Sequence, residues 1–319
     1  MNARVLVTGA GGFVCSNIVG TLLAQGYDVI AADRAFDAQL MDSLRTEWRG
    51  RMTLLETDAA HLPAVDVNAL VHGAAITASP EESGQTPEDH FRANMNPLLT
   101  MLEWSARNQV RRAIFLSSSA VYRQTMSGTV HETMLPHPHG LYAIVKQTME
   151  VLVETLRDLY GRDVITLRLS NIYGLNEHTR FTRPRVSLVA RMIDEALRTG
   201  TVTAYENSVA RDWTFAPDIG NVIDLLLRLP TVKHTLYNTA SEQVLNQQQI
   251  AEAIQAALPN VRIELHAGSD PNESQITRFG YLSSERLREE TGFNDWTPFA
   301  EGIKQIIEAQ SGASAKAAP

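Results

Sequence analysis

The sequence predicts an α/β protein, a doubly wound parallel sheet followed by a smaller mixed α/β lobe. Three observations carry this expectation. Short β-branched runs alternate with longer helical patterns up to about Ser170, and such alternation implies a parallel sheet covered on both faces. The first run ends in a glycine cluster that leads directly into a helix. Beyond Ser170 the strands shorten and the alternation loosens. The expected organisation is residues 1–170 as one domain, 171–310 mainly as a second lobe with a segment near 212–232 returning to the first, and 311–319 as a disordered tail.

Arg4–Thr8 (RVLVT) has the apolar, branched character of a buried parallel strand. Phe13–Gln25 reads as a helix with Ile18, Val19, Leu22 and Leu23 on its apolar face. Asp28–Ala32 is a second buried strand, closed by Asp33, and Thr53–Glu56 and Ala69–His72 are further strands. A long helix over Phe91–Asn108, a strand over Ala113–Ser117, a helix over Tyr142–Tyr160 and a strand over Val164–Leu169 complete the alternation. In the second lobe, helices are expected over Ser187–Arg198, Ile219–Leu229, Gln247–Leu258 and Ser283–Thr291. No repeat of 20–50 residues appears.

Composition excludes several function classes. The 319 residues carry a formal charge of -8, with 44% hydrophobic and 20% charged residues. Nucleic-acid binding calls for a basic face, which this balance does not suggest. Cys15 is the sole cysteine, so an internal disulfide is impossible. No run of about 18 uncharged apolar residues suggests a membrane span, and the N-terminus lacks a signal-peptide pattern, so a cytoplasmic protein is expected. His131, His137 and His139 cluster around Pro136 and Pro138, but spacing alone does not make a metal site, and none is expected.

Thr8-Gly9-Ala10-Gly11-Gly12-Phe13-Val14 lies between a strand and a helix. Glycines there let the backbone approach a pyrophosphate, and the helix N-terminus presents free N–H groups to it. This context predicts a Rossmann-type dinucleotide site. Asp33 ends the second strand, where an acid accepts hydrogen bonds from ribose hydroxyls and repels a 2′-phosphate, so NAD is favoured. Arg34 follows and keeps NADP open.

Tyr142 and Lys146 are spaced i, i+4 and share one helix face. A neighbouring ammonium favours the phenolate, which can then move a proton while hydride passes to the cofactor. Alone, the pair reads better as a surface i, i+4 contact. Upstream, Ser117-Ser118-Ser119-Ala120-Val121-Tyr122 ends a parallel strand, where ligands bind in such sheets.

With Asp58-Ala59, His72-Gly73-Ala74-Ala75, Asn94, Glu132, Pro138, Arg168-Leu169-Ser170-Asn171-Ile172-Tyr173-Gly174 and Arg211-Asp212-Trp213, these segments stand in the order of a known family. The chain, from about residue 3 to 308, resembles the extended short-chain dehydrogenase/reductases of NAD-dependent epimerase/dehydratase type. The resemblance implies Ser118 as the group orienting the substrate oxygen, Tyr142 as acid/base, and Lys146 on the nicotinamide ribose. It places Gly9, Gly11, Gly12, Phe13, Val14, Asp33, Arg34, Asp58, Ala59, Ala74, Ala75 and Asn94 around the cofactor. It places Ser118, Asn171 and Arg211 around the substrate, where Ser119, next to Ser118, and Arg185, a cation near the start of the helix at Ser187, are further candidates. Three departures stand out: Cys15 replaces the usual third loop glycine, Val145 the usual serine before the lysine, and Arg123 the usual glycine after Val-Tyr.

Within that family, dehydration and decarboxylation use an acid beside the serine, where this chain has Ser119 and Ala120. Epimerisation at C3 and C5 uses a Cys/His pair, and the lone cysteine is in the cofactor loop. The remaining reactions are 4-epimerisation of a nucleotide sugar and NAD-dependent oxidation of a free sugar or sugar acid. A non-catalytic NAD-binding regulator is the third reading, opposed by the presence of both Tyr142 and Lys146. The segments Tyr205–Asp212, Gly268–Pro271 and Arg278–Tyr281 match the nucleotide-gripping pattern only in part or not at all. Arg180, Arg183 and Arg185 could hold either a diphosphate or a carboxylate. Finally, the helices 91–108 and 142–160 are unusually apolar. Val145, Met149, Leu152, Val153, Leu156 and Leu159 cover more than one stripe, as in a helix buried on two sides, so a homodimer through these helices is expected.

Overall fold

A computed structural model describes residues 3–37, 47–48, 50–122, 128–271 and 280–317, with side chains through Ser311. Arg123, Arg278 and Phe279 lie outside the described residues. In chain order the first elements are β1 (Arg4–Thr8), α1 (Phe13–Ala24), β2 (Asp28–Asp33), β3 (Met52–Glu56), β4 (Ala69–His72), α2 (Pro87–Arg107), β5 (Arg112–Ser118), β6 (Thr129–Val130), α3 (Leu141–Tyr160) and β7 (Val164–Leu169). Next come β8 (Asn171–Tyr173), α4 (Leu188–Thr199), β9 (Thr201–Tyr205), β10 (Arg211–Phe215), α5 (Ala216–Arg228), β11 (Leu236–Thr239) and β12 (Val244–Leu245). The chain closes with α6 (Gln247–Ala257), β13 (Arg262–His266), β14 (Tyr281–Leu282), α7 (Glu285–Thr291) and α8 (Phe299–Ala317).

Seven strands form one sheet in the order β11-β7-β5-β4-β1-β2-β3, every neighbouring pair parallel. The order reverses between β1 and β4, the place where such sheets open a ligand crevice at their carboxyl ends. This is the Rossmann-type α/β fold. Strand alternation sorts the core into two layers. Val5 and Val7 of β1 pack with Ile18, Leu22, Ile219 and Ile223 under α1 and α5. Leu6, between them, packs with Met95, Leu102, Met149 and Val153 under α2 and α3.

The helix expected from Phe91 begins at Pro87 instead. Thr86 caps it by accepting the Asp89 N–H at 3.1 Å, and proline at the first position costs no bond that the helix would otherwise make. A third core joins Tyr173, Trp213 and Phe215 to α4, α6 and α8. Around it lie the small sheets β12-β10-β8 and β13-β9, while β14 pairs with β6. The α8 backbone is helical to Ala317, into the segment expected to be a disordered tail. No helix among the described residues is long and apolar enough to cross a membrane.

Residues from the later part of the chain complete the first sheet. Helix α5 packs along α1 so closely that a Cβ on Gly220 would lie 2.8 Å from Thr21 Cγ2. The guanidinium of Arg112, fully buried, donates to Asp163 at 2.8 Å and to the Leu229 carbonyl at 3.0 Å just after α5.

Candidate active site

The glycine loop forms a floor without side chains. Gly9 has φ +74, and a Cβ there would lie 2.6 Å from Ala74 N. The Gly12 N–H donates to Gly9 O at 2.8 Å, closing the turn directly before α1. Asp33 stands across the loop: its Oδ2 accepts the Gly11 N–H at 2.9 Å and its Oδ1 the Arg34 N–H at 2.7 Å. Asp58 accepts the Ala60 N–H at 2.8 Å and so caps the short turn Ala59–His61, with Arg34 Nη1 4.0 Å from its carboxylate. Asp33, Arg34, Asp58, Ala59, Ala74 and Ala75 border a cleft of about 110 Å³. Asn94 is buried and braces it from behind, accepting the Ile76 N–H at 2.9 Å.

A larger cleft of about 1020 Å³ opens at the carboxyl ends of the strands. Gly9, Gly12, Phe13 and Val14 line it on the loop side, and Ser118, Tyr142 and Lys146 at its centre. Asn171, Arg180, Arg183, Arg185, Arg191 and Arg211 also border it, with Arg183 reaching back over the Phe13 ring on the loop side. These features fit a dinucleotide: a floor no Cβ obstructs, free donors at a helix N-terminus, and a carboxylate closing β2.

Tyr142 and Lys146 come together as their spacing requires, the ammonium 5.6 Å from the phenol ring centroid. Lys146 is buried, and its Nζ donates to the Leu116 carbonyl at 2.7 Å. Burial pulls its pKa down to about 8 against the opposing pull of Cys15 and Glu150. Burial raises the Tyr142 pKa, while a hydrogen bond with Ser118 and the charge of Arg183 work against that rise. Behind the lysine, Glu150 accepts from Ser117 Oγ at 2.5 Å and from Arg168 at 2.9 and 2.6 Å. Arg168 in turn donates to the Tyr122 hydroxyl, which donates to the His131 carbonyl at 3.1 Å. Glu150 was not among the sequence-derived candidates, although its i+4 spacing from Lys146 was a signal.

The other candidates are placed as follows. Ser119 opens a short turn with its carbonyl on the Tyr122 N–H at 3.0 Å. Arg185 is 85% exposed and pairs with Glu82 at 2.6 Å, so it sits at the cleft rim. Cys15 is buried with its sulfur over Gly73, at the spot a Cβ of residue 73 would need. Burial and then the Asp33 charge push its thiol up to about 12, which leaves it without nucleophilic character near neutral pH. Unforeseen in the sequence, Gln247 and Asp270 meet at the far end of the cleft, Nε2 to Oδ2, at 3.0 Å.

The fold and this site define a dinucleotide-dependent enzyme of the extended short-chain dehydrogenase/reductase class. Residues 5–240 match the family described as NAD dependent epimerase/dehydratase. The chain belongs to that family and is an NAD-dependent enzyme. It is 25% identical to the UDP-glucose 4-epimerase of Mycolicibacterium smegmatis, over 96% of this chain and 97% of that one. It is 25% identical to the dTDP-glucose 4,6-dehydratase of Streptomyces niveus, over 96% and 92%. Among solved structures, the UDP-glucose 4-epimerase of Stenotrophomonas maltophila, with bound NAD and formylated UDP-arabinopyranose, superposes with a TM-score of 0.82 at 19% identity. That likeness covers 99% of this chain and all of the other.

Proposed function

We propose that this enzyme interconverts C4 epimers of a nucleotide sugar, retaining NAD between turnovers. The observation that carries this reading is the set of groups lining the large cleft. Ser118, Tyr142 and Lys146 form its proton-handling centre, and Asp270 is the sole lining carboxylate among the described residues. Asp270 is engaged with Gln247. Expelling water from a sugar calls for an acid beside the leaving hydroxyl, and Ser119 and Ala120 follow Ser118. The 4-epimerases among the relatives support the choice of reaction, and the nucleotides in their names support the substrate class.

Bound NAD supplies reversible hydride acceptance at the sugar carbon. Ser118 Oγ holds the substrate oxygen. Tyr142 Oη takes the hydroxyl proton as the carbonyl forms and gives it back when the carbonyl is reduced from its other face. Lys146, fixed by the Leu116 carbonyl, holds a positive charge beside the phenol and so lowers the cost of the phenolate. Glu150 keeps the helix face bearing Lys146 tied to β5 and β7 through Ser117 and Arg168.

The test incubates the holoenzyme with UDP-, GDP- and dTDP-sugars and follows products by NMR alongside NADH absorbance. The expected result is interconversion of two C4 epimers of one nucleotide sugar without accumulating NADH. Stoichiometric NADH would establish net oxidation, and a 4-keto-6-deoxy product would establish dehydration. Either outcome replaces the present reading. Tyr142→Phe should lower kcat by roughly 10²–10⁴-fold while nucleotide affinity stays within a factor of two or so.

A further inference from the structure

Leu175–Ser187 links the second lobe to the roof of the cofactor cleft, and its contacts are unusually directed. The Leu175 carbonyl accepts Asn17 Nδ2 of α1 at 2.8 Å. The Thr182 carbonyl accepts the Thr77 N–H at 2.9 Å, the Ala78 N–H at 3.2 Å and Thr77 Oγ1 at 3.2 Å. Thr77 and Ala78 follow β4 on the opposite wall. Arg180 and Arg183 exchange backbone bonds at 2.8 and 2.9 Å, which makes the tip a tight turn. Thr182 borders both the large cleft and the smaller one holding Asp33 and Asp58. The segment thus crosses the crevice from wall to wall between the two halves of the dinucleotide site.

Arg183 is held in that segment in a specific attitude. Glu177, its side chain 2% exposed, accepts from Arg183 Nη2 and from Ser187 N and Oγ, both at 2.7 Å. The guanidinium carbon lies 5.1 Å from the centroid of the Phe13 ring. Phe13 opens α1, so the cation stands over the helix N-terminus where Gly12, Phe13 and Val14 border the cleft. Arg183 Nε is buried and meets no hydrogen-bond acceptor among the described residues. A buried guanidinium N–H is costly without a partner, and a planar fork beside free helix-end N–H groups is suited to phosphate oxygens.

We propose that Leu175–Ser187 is a strap closed over the bound dinucleotide and that Arg183 contributes a second, overhead ligand to its pyrophosphate. The glycine loop and the α1 N-terminus grip the pyrophosphate from below, and Arg183 from above. The cofactor then leaves only when Thr182 lifts from Thr77 and Ala78. This deepens the retained-NAD reading above and rests on it. The charge of Arg183 also reaches Tyr142 and favours its phenolate, so the same residue serves retention and proton transfer.

The experiment measures NAD affinity and NAD release from the full-length protein, with UDP binding as a parallel probe of any substrate diphosphate site. Arg183→Gln should weaken NAD binding at least tenfold, mainly through faster release, and leave UDP binding unchanged. Arg183→Lys should fall between. Glu177→Gln, which unhooks the guanidinium without removing it, should speed release to a lesser degree. Thermal unfolding of each apo variant separates these effects from loss of fold. Unchanged NAD release in a folded Arg183→Gln variant would overturn the proposal, as would a loss confined to UDP. Tight NAD retention by that variant together with net NADH production by the wild type would reject both the strap and the epimerase reading. Fast release in the variant with net NADH production would reject the epimerase reading alone.

Discussion

Cys15 and Gly73 occupy one space between them, and their interdependence can be measured. A methyl group at residue 73 would overlap Cys15 Sγ and approach Leu116 Cδ1 at 3.0 Å. Gly73 does not have the positive φ that favours glycine, so Gly73→Ala is a test of packing and not of backbone strain. Overfilling a packed core costs about 1–3 kcal/mol, and overlap with a fully buried thiol belongs at about 2–3 kcal/mol. Cys15→Gly should itself cost about 1 kcal/mol in helix propensity, with a further contribution from the vacated volume. In the double variant the sulfur is gone and only the movable Leu116 methyl opposes the new Cβ. The cost of Gly73→Ala should then fall below about 1 kcal/mol, a coupling of roughly 1.5–2 kcal/mol, within the range for residues in contact. Urea unfolding of the four proteins at fixed pH gives the coupling directly. Additivity within about 0.5 kcal/mol would refute the packing argument.

Three other perturbations follow from the same geometry. Asp33→Ala removes the acceptor for Gly11 N–H and, as we propose, for the ribose, so NAD affinity should fall at least about tenfold (about 1.4 kcal/mol) and NADP should gain relative to NAD; calorimetric titration with both would contradict this if their ratio stayed fixed. Burial, and then the charge of Lys146, hold the His72 pKa down to about 3. The stability from its neutral state is full above about pH 6.5 and is lost as pH falls toward 3, at up to about 1.4 kcal/mol per pH unit; His72→Asn should flatten that slope in acid denaturation, and an unchanged slope would place the proton elsewhere. Ile144, Val151 and Leu159 of α3 and Leu99 of α2 remain exposed on this chain, and we propose that they meet a second copy across a two-fold axis. Val151→Glu should convert a dimer to a monomer in sedimentation at micromolar concentration, and a monomeric wild type would end the proposal.

The sheet was legible because its buried strands are continuous apolar runs set between helical periods. Tyr142 and Lys146 were legible because i, i+4 spacing on a helix is geometry written in sequence. The edge strand β11 was not, because Leu236–Thr239 is short and joins β7 only after the chain has made much of the second lobe. The apolar residues that cover more than one stripe of α3 divide between two sides: Val145, Met149 and Val153 enter the core with Leu152 and Leu156 packed against it, while Leu159 stands outward with Ile144 and Val151, two residues that the stripe did not include. Arg180, Arg183 and Arg185 were indistinguishable as three loop cations. Only the fold separates them, placing Arg183 over Phe13 and Arg185 against Glu82.

The closure of the first sheet by late residues has a consequence for synthesis. A nascent chain ending at Ser170 contains the glycine loop, Tyr142 and Lys146, yet its β7 edge is unpaired and the α1 face that receives α5 is bare. Arg112 would lie there without the Leu229 carbonyl. The sheet therefore gains its last strand only when β11 has been delivered, and the family match itself ends at residue 240, immediately after that strand. The chain threads out through β8, α4, β9 and β10 and comes back to finish what it began.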